Sequence, residues 1–159
     1  MKELKERLLE EGFRGFVRVK KIKTEFGNCE IPHDEGVYHV LRQTDSIPVF
    51  LSKGTGGYFK GKDPNVSVDE LYLNWIDDEP ILYIGKASDL HRRILQYVKF
   101  GSGKNVGHFG GRYIWQLKNS DDLIICWKCI KNSRIIEGNM IADFKNKHNG
   151  RRPFANLKD

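Results

Sequence analysis

Two short apolar runs, Gly36-Val37-Tyr38-His39-Val40-Leu41 and Ile81-Leu82-Tyr83-Ile84-Gly85, constrain this chain more than any other part of it. Each joins β-branched and aromatic residues to a glycine, which is strand chemistry. The second run is apolar on both faces, so it is expected to be a central strand of its sheet. It leads directly into a segment of helical period. Ser88 or Asp89 supplies the N-cap there, and Leu90, Ile94, Tyr97 and Val98 fall at i, i+4, i+7 and i+8 to form an apolar stripe.

At ~100° per residue Arg93 borders that stripe, whereas Arg92 points into solvent. Tyr97 follows Arg93 at i+4, so the two side chains are expected to reach one pocket.

The rest of the skeleton follows from similar patterns. Leu4, Leu8 and Leu9 predict a packing helix through Glu10, stopped by Gly12, and Phe16 to Val19 with Ile22 predict a short strand. Residues 42–79 read as an irregular stretch with turn-formers at Gly54 to Gly57 and at Asp63-Pro64-Asn65, plus one short helix over Val68 to Trp75. Tyr113 to Leu117 and Leu123 to Ile130 read as two further strands around an Asn119 to Asp122 turn. A last helix carries Ile136, Met140, Ile141 and Phe144 on one face and ends at Gly150, before an extended Pro153-Phe154-Ala155-Asn156.

With 159 residues the chain is expected to form one domain, 1–159, with an extension over 1–35 and a core over 36–156. No apolar run reaches the ~18 residues that would suggest a membrane span, and the charged start reads as an amphipathic helix rather than a signal segment. Cys29, Cys126 and Cys129 are too few and too odd in number for a disulfide framework. The expectation is a soluble, cytoplasmic protein.

Charge is unevenly spread. Residues 1–85 carry 12 Lys and Arg against 15 Asp and Glu, whereas residues 86–159 carry 15 against 6, so the halves stand at −3 and +9. Such a basic half fits a nucleic-acid partner, although a basic balance also serves solubility alone. The glycine-rich stretch 101–112 offers Lys104, His108 and Arg112 to phosphate, or else is only a turn-former. It is no Walker A loop, because Val98 and Asn105 stand where Gly and Ser or Thr are required. Cys126 and Cys129 in a strand point to opposite faces and cannot converge on one ion, so they read as packing residues.

Glu137 sits inside the apolar stripe of the last helix, where a carboxylate is costly unless paired or bound to metal. An ion pair to an arginine such as Arg93 is the plain structural alternative. The order GVY, YIG-Lys-Ala, helix arginine, helix glutamate and terminal RPFAN resembles the GIY-YIG nuclease superfamily over residues 36–156.

That resemblance implies an α/β domain of the α+β type with a twisted, mainly antiparallel sheet flanked by helices. It implies an endonuclease that hydrolyses DNA phosphodiesters with one divalent ion, Mg²⁺ or Mn²⁺. Tyr38 and Tyr83 match the motif tyrosines whose hydroxyls line the phosphate site, one acting as base, with Tyr38 favoured. Gly85 is expected to keep a turn open, Lys86 matches the motif lysine, and Arg93 would stabilise the pentacovalent phosphate. Glu137 would be the metal ligand, Asn156 the buttress, and Tyr97 takes a place held by His or Tyr in relatives. RNA as substrate, and a binding module of the same fold that does not cleave, remain alternatives. Unlike most relatives, this chain places 44 residues between Tyr38 and Tyr83. That insertion brings Lys53, Tyr58, Phe59, Lys60 and Lys62 as further candidates for DNA contact.

Overall fold

Every residue of Gly36–Leu41 is buried, which is what a strand of β-branched and aromatic residues covered on both faces requires. Around it, residues 1–158 of a computed structural model are described. They run α1 (Lys2–Glu10), β1 (Arg14–Arg18), α2 (Val19–Thr24), β2 (Gly36–Leu41), α3 (Val68–Asn74), β3 (Ile81–Ala87), α4 (Leu90–Gly101), β4 (Ile124–Cys129) and α5 (Ser133–Lys147). The strands form one antiparallel sheet in the order β1-β4-β2-β3, so the chain is a small α/β domain of the α+β type. One face packs on α2, α4 and the segments around them through Tyr38, Val40, Ile94, Val98 and Trp115. The other packs on α1 through Leu8, Phe13, Val37 and Leu41, and on α5 through Ile84, Ile141 and Phe144.

β3 is an edge strand, as β1 is on the other side, and not a central one. An unbroken apolar run reports that both faces are covered and says nothing about neighbours in the hydrogen-bonding direction. The C-terminal segment seals that edge: Ala155 N–H donates to the Leu82 carbonyl at 2.8 Å. The Asn156 side chain then imitates a strand residue, accepting from Ile84 N–H on Oδ1 and donating from Nδ2 to the Ile84 carbonyl, both at 2.9 Å.

Two further expectations are corrected. Ile22 belongs to α2, where Val19 and Ile22 are buried one helical turn apart, rather than to a strand. Tyr113 to Leu117 is not a strand either, since Phe109–Gln116 is a run of 3₁₀ turns. Aromatic content favours strands only where a ladder partner exists, and here the carbonyls are committed elsewhere. Trp115 and Gln116 carbonyls accept from Thr55 N–H at 3.0 Å and Leu51 N–H at 2.7 Å. Gln116 Oε1 accepts from Val66 N–H at 2.9 Å, and its Nε2 donates to the Leu51 and Val66 carbonyls at 3.0 and 2.9 Å.

Those bonds fasten the 42–79 insertion to the domain. Phe50 reaches Phe154 and Trp75 with ring centroids 5.6 and 5.7 Å away. Gly54 lies so close to the 3₁₀ segment that a Cβ there would stand 2.2 Å from the Trp115 carbonyl oxygen. Among the described residues, no helix is long and apolar enough to cross a membrane.

Candidate active site

The two tripeptides meet in register. Tyr38 lies opposite Gly85 across the β2–β3 ladder, and a Cβ on Gly85 would stand 2.4 Å from Tyr38 Cζ and 2.7 Å from its hydroxyl. Gly85 is therefore not a turn-opener but a residue inside β3 over which the Tyr38 ring lies. Tyr83 pairs with Val40 and projects from the same face, its ring centroid 5.9 Å from that of Tyr38. Burial separates the pair. Tyr38 is 0% exposed, while Tyr83, at 9%, lines a cleft.

That cleft, about 800 Å³, wraps the end of β3. Tyr83 and Lys86 enter it from opposite faces of the strand, Arg93 from the first turn of α4, Arg134 and Glu137 from α5, and Arg112 from the 3₁₀ segment. Lys86 Nζ donates to Glu137 Oε2 at 3.0 Å, so the partner of the helix carboxylate is Lys86 rather than Arg93. Arg93 Nη1 donates instead to the Gly107 carbonyl at 3.1 Å and to Gln96 Oε1 at 3.2 Å, and Gln96 Nε2 donates to the same carbonyl at 2.7 Å. Arg93 thus holds the glycine-rich loop against α4 while bordering the cleft.

Local structure aims these helices. The segment before β2 holds both N-termini: Leu90 N–H donates to the Asp34 carbonyl at 2.9 Å, and Glu35 Oε2 accepts from Ser133 N–H at 2.8 Å. Asp89 completes α4 by accepting from Arg92 N–H at 3.0 Å. Glu35, a cap supplied from 98 residues away in sequence, had no local signal.

Behind the cleft lies a sealed aromatic wall. Tyr97 is buried, and its hydroxyl donates to the Gly111 carbonyl at 2.9 Å, so it ties α4 to the 3₁₀ segment instead of opening into the cleft. His108, expected on a basic surface loop, is 1% exposed. Its ring stacks on Tyr97 at 3.9 Å and its Nε2 stands 2.8 Å from the Tyr38 hydroxyl. Lys104 is exposed at the C-terminal end of α4, outside the residues that line the cleft. Of the loop's three basic candidates, the cleft takes only Arg112, whose guanidinium lies 4.5 Å over the Phe109 ring. None of Lys53, Tyr58, Phe59, Lys60 or Lys62 lines it.

Burial governs titration in the wall. It pushes the Tyr38 and Tyr97 phenols well above their ordinary value and Tyr83 upward too, while the Arg93 guanidinium pulls all three back. Burial, reinforced by Arg93 and partly opposed by the residue's own carbonyl, holds His108 well below the ordinary imidazole range. His108 is accordingly a neutral imidazole near pH 7.

At the mouth, Lys86, Arg93, Arg112, Arg134 and Lys158 surround Glu137, the single carboxylate there among the described residues. Arg134 and Lys158 escaped the sequence reading, although Arg134 lies at i−3 from Glu137 on the same helix face. Among the described residues no group of three or more His, Cys, Asp or Glu forms a self-sufficient metal cage. One hard oxygen donor facing an open cleft does suit Mg²⁺ or Mn²⁺, which keep several waters and bind through one or two carboxylates plus substrate phosphate. The fold and cleft define a small α/β domain with a cationic site at a sealed sheet edge. No family model, curated protein or solved structure matches the chain.

Proposed function

We propose that the chain is a divalent-metal-dependent endonuclease of the GIY-YIG type that hydrolyses DNA phosphodiester bonds. The observation that carries this reading is the convergence of Tyr83, Lys86, Arg93 and Glu137 on one cleft in which, among the described residues, every charge but that of Glu137 is positive. Such a cleft attracts a polyanion, and its fixed cations suit the extra negative charge of a pentacovalent phosphate.

In the reaction, a water oxygen bonds to phosphorus and the bond from phosphorus to the 3′ oxygen breaks. Tyr83 in its phenolate form takes the water proton, a role that falls to it rather than to Tyr38 because only Tyr83 lines the cleft. The Arg93 guanidinium and a hydrogen bond from Tyr38 favour this phenolate against its burial and the nearby Glu137 carboxylate. An ion held by Glu137, water and phosphate oxygens would neutralise charge on the phosphoryl group and the leaving oxygen. Asn156 acts at one remove by clamping Ile84, the residue after Tyr83, at both its backbone groups. Arg112, Arg134 and Lys158 would hold flanking phosphates.

The test is cleavage of supercoiled plasmid, branched DNA and RNA with Mg²⁺ or Mn²⁺. Glu137→Ala and Arg93→Ala are each expected to lose at least ~100-fold in rate. Wild type that binds DNA tightly but cleaves nothing under any of these conditions would leave a binding module in place of an enzyme.

A further inference from the structure

We propose that His108 is a positioning residue for the tyrosine pair: its Nε2–H donates to the Tyr38 oxygen and thereby turns the Tyr38 hydroxyl hydrogen toward Tyr83. Its catalytic consequence rests on the nuclease reading above; its geometry does not. His108 lies outside the five landmarks on which the family resemblance was built.

The imidazole cannot swing. It is stacked on Tyr97 with centroids 3.9 Å apart and planes inclined by 20°, and Tyr97 is itself pinned through its hydroxyl to Gly111 at 2.9 Å. Among the described residues, the groups that face it are Tyr38, Tyr83 (centroids 5.9 Å), Tyr97 and the Arg93 guanidinium, with no carboxylate among them. A neutral ring carries one N–H, which leaves two tautomers. Nδ1 is buried and has no hydrogen-bond partner. A proton on Nδ1 would have at most the residue's own backbone carbonyl beside it, with no well-formed hydrogen bond, whereas a proton on Nε2 is satisfied by Tyr38 at 2.8 Å and leaves only a bare lone pair. The second arrangement wins.

The direction of that bond decides the next one. A phenol oxygen has two lone pairs and one hydrogen. His108 donates to the Tyr38 oxygen, and Arg93, which can only donate, bears on it as well. The Tyr38 hydrogen is left to point at Tyr83, the neighbouring phenol on the same face. Tyr83 is then the phenol that ionises first, its oxygen receiving a hydrogen bond that strengthens on ionisation. His108 never touches substrate and takes no proton.

Two measurements on the full chain test this. Long-range ¹H–¹⁵N correlation spectra at neutral pH are expected to show His108 protonated at Nε2 and bare at Nδ1; a proton at Nδ1, or at both nitrogens, would overturn the proposal. In cleavage assays with Mn²⁺ and plasmid, His108→Phe keeps the ring stack and removes the donor. It is expected to lower kcat about tenfold with KM unchanged, and to move the rising limb of the pH–kcat profile up by about one unit. His108→Gln, which offers an amide N–H, is expected to recover most of both. A His108→Phe profile superimposable on wild type, or a Gln variant no better than Phe in a protein that melts normally, would sink the positioning role. Should wild type prove inert, the nuclease reading falls and the tautomer measurement alone still decides the geometry.

Discussion

The wall behind the cleft and the rim at its mouth lie a few residues apart and obey different physics. In the wall, the Tyr38, Tyr97 and His108 rings interlock, Gly85 leaves no room for a side chain, and two of the three hydroxyl or ring donors have one named acceptor. At the rim, Lys86, Arg112, Arg134 and Lys158 line an open cleft, and the Lys86 side chain is 44% exposed even in its ion pair. Close packing makes the wall intolerant of change, because a shift at one ring moves the next. High dielectric makes the rim tolerant in stability while leaving it decisive for charge on a ligand.

The difference can be broken most directly at Gly85. Gly85→Ala puts a methyl 2.4 Å from Tyr38 Cζ. The variant is expected to lose about 3 kcal/mol of unfolding free energy in urea titrations. A loss below about 1 kcal/mol would mean that the wall yields and the contrast with the rim is overdrawn.

A second test uses pH and the buried histidine on the opposite face. His39 lies against Phe13, ring centroids 4.6 Å apart, with neither ring nitrogen hydrogen-bonded. Burial, with some help from Arg7, lowers its pKa from 6.5 to about 3. The unfolded chain binds a proton near the upper value that the fold refuses until the lower one, so stability is whole above pH 6.5 and declines as pH falls toward 3. Relative to His39→Phe, wild type is expected to lose about 1.4 kcal/mol per pH unit over that window, read as the difference between their denaturation midpoints. Parallel curves would show that His39 finds a partner or water that its surroundings do not suggest.

The rim gives the smallest effect. Lys86→Ala removes a pair whose cation is nearly half in solvent but leaves the Glu137 side chain, 13% exposed, without that partner, and the expected loss in unfolding free energy is about 1 kcal/mol. A larger loss would place this ion pair with the wall rather than the rim.

How far the sequence could be read depends on the range of the force in question. Gly36–Leu41 as a strand, the Leu90 to Val98 stripe and the Asp89 cap rest on neighbours within a few residues, and the structure has them at those positions. Phe109–Gln116 escaped because its carbonyls bond to residues 51 and 55, contacts that outweigh local propensity. Arg93 and Glu137 were readable as candidates from their place on helix faces, and Tyr83 from the motif resemblance. The partner of Glu137 was not, because Lys86 and Arg93 stand at similar separations in sequence and only the packing of α5 against β3 selects one.

His108 shows the limit most clearly. In a run of glycines and basic residues it reads as a solvent-facing cation, yet it is buried because the loop folds back over α4, fastened by Arg93 and Gln96 at Gly107. By itself the sequence determined the helices α1, α3, α4 and α5 and the strands β2, β3 and β4, most of the faces they bury and which polar residues stand near the strand ends, since periodicity and capping act over a turn or two. Only the tertiary structure decided that β3 is an edge, that Asn156 seals it, and that one tyrosine faces the cleft while its twin faces a histidine. Those outcomes depend on contacts between residues 70 or more apart, for which no local pattern carries information.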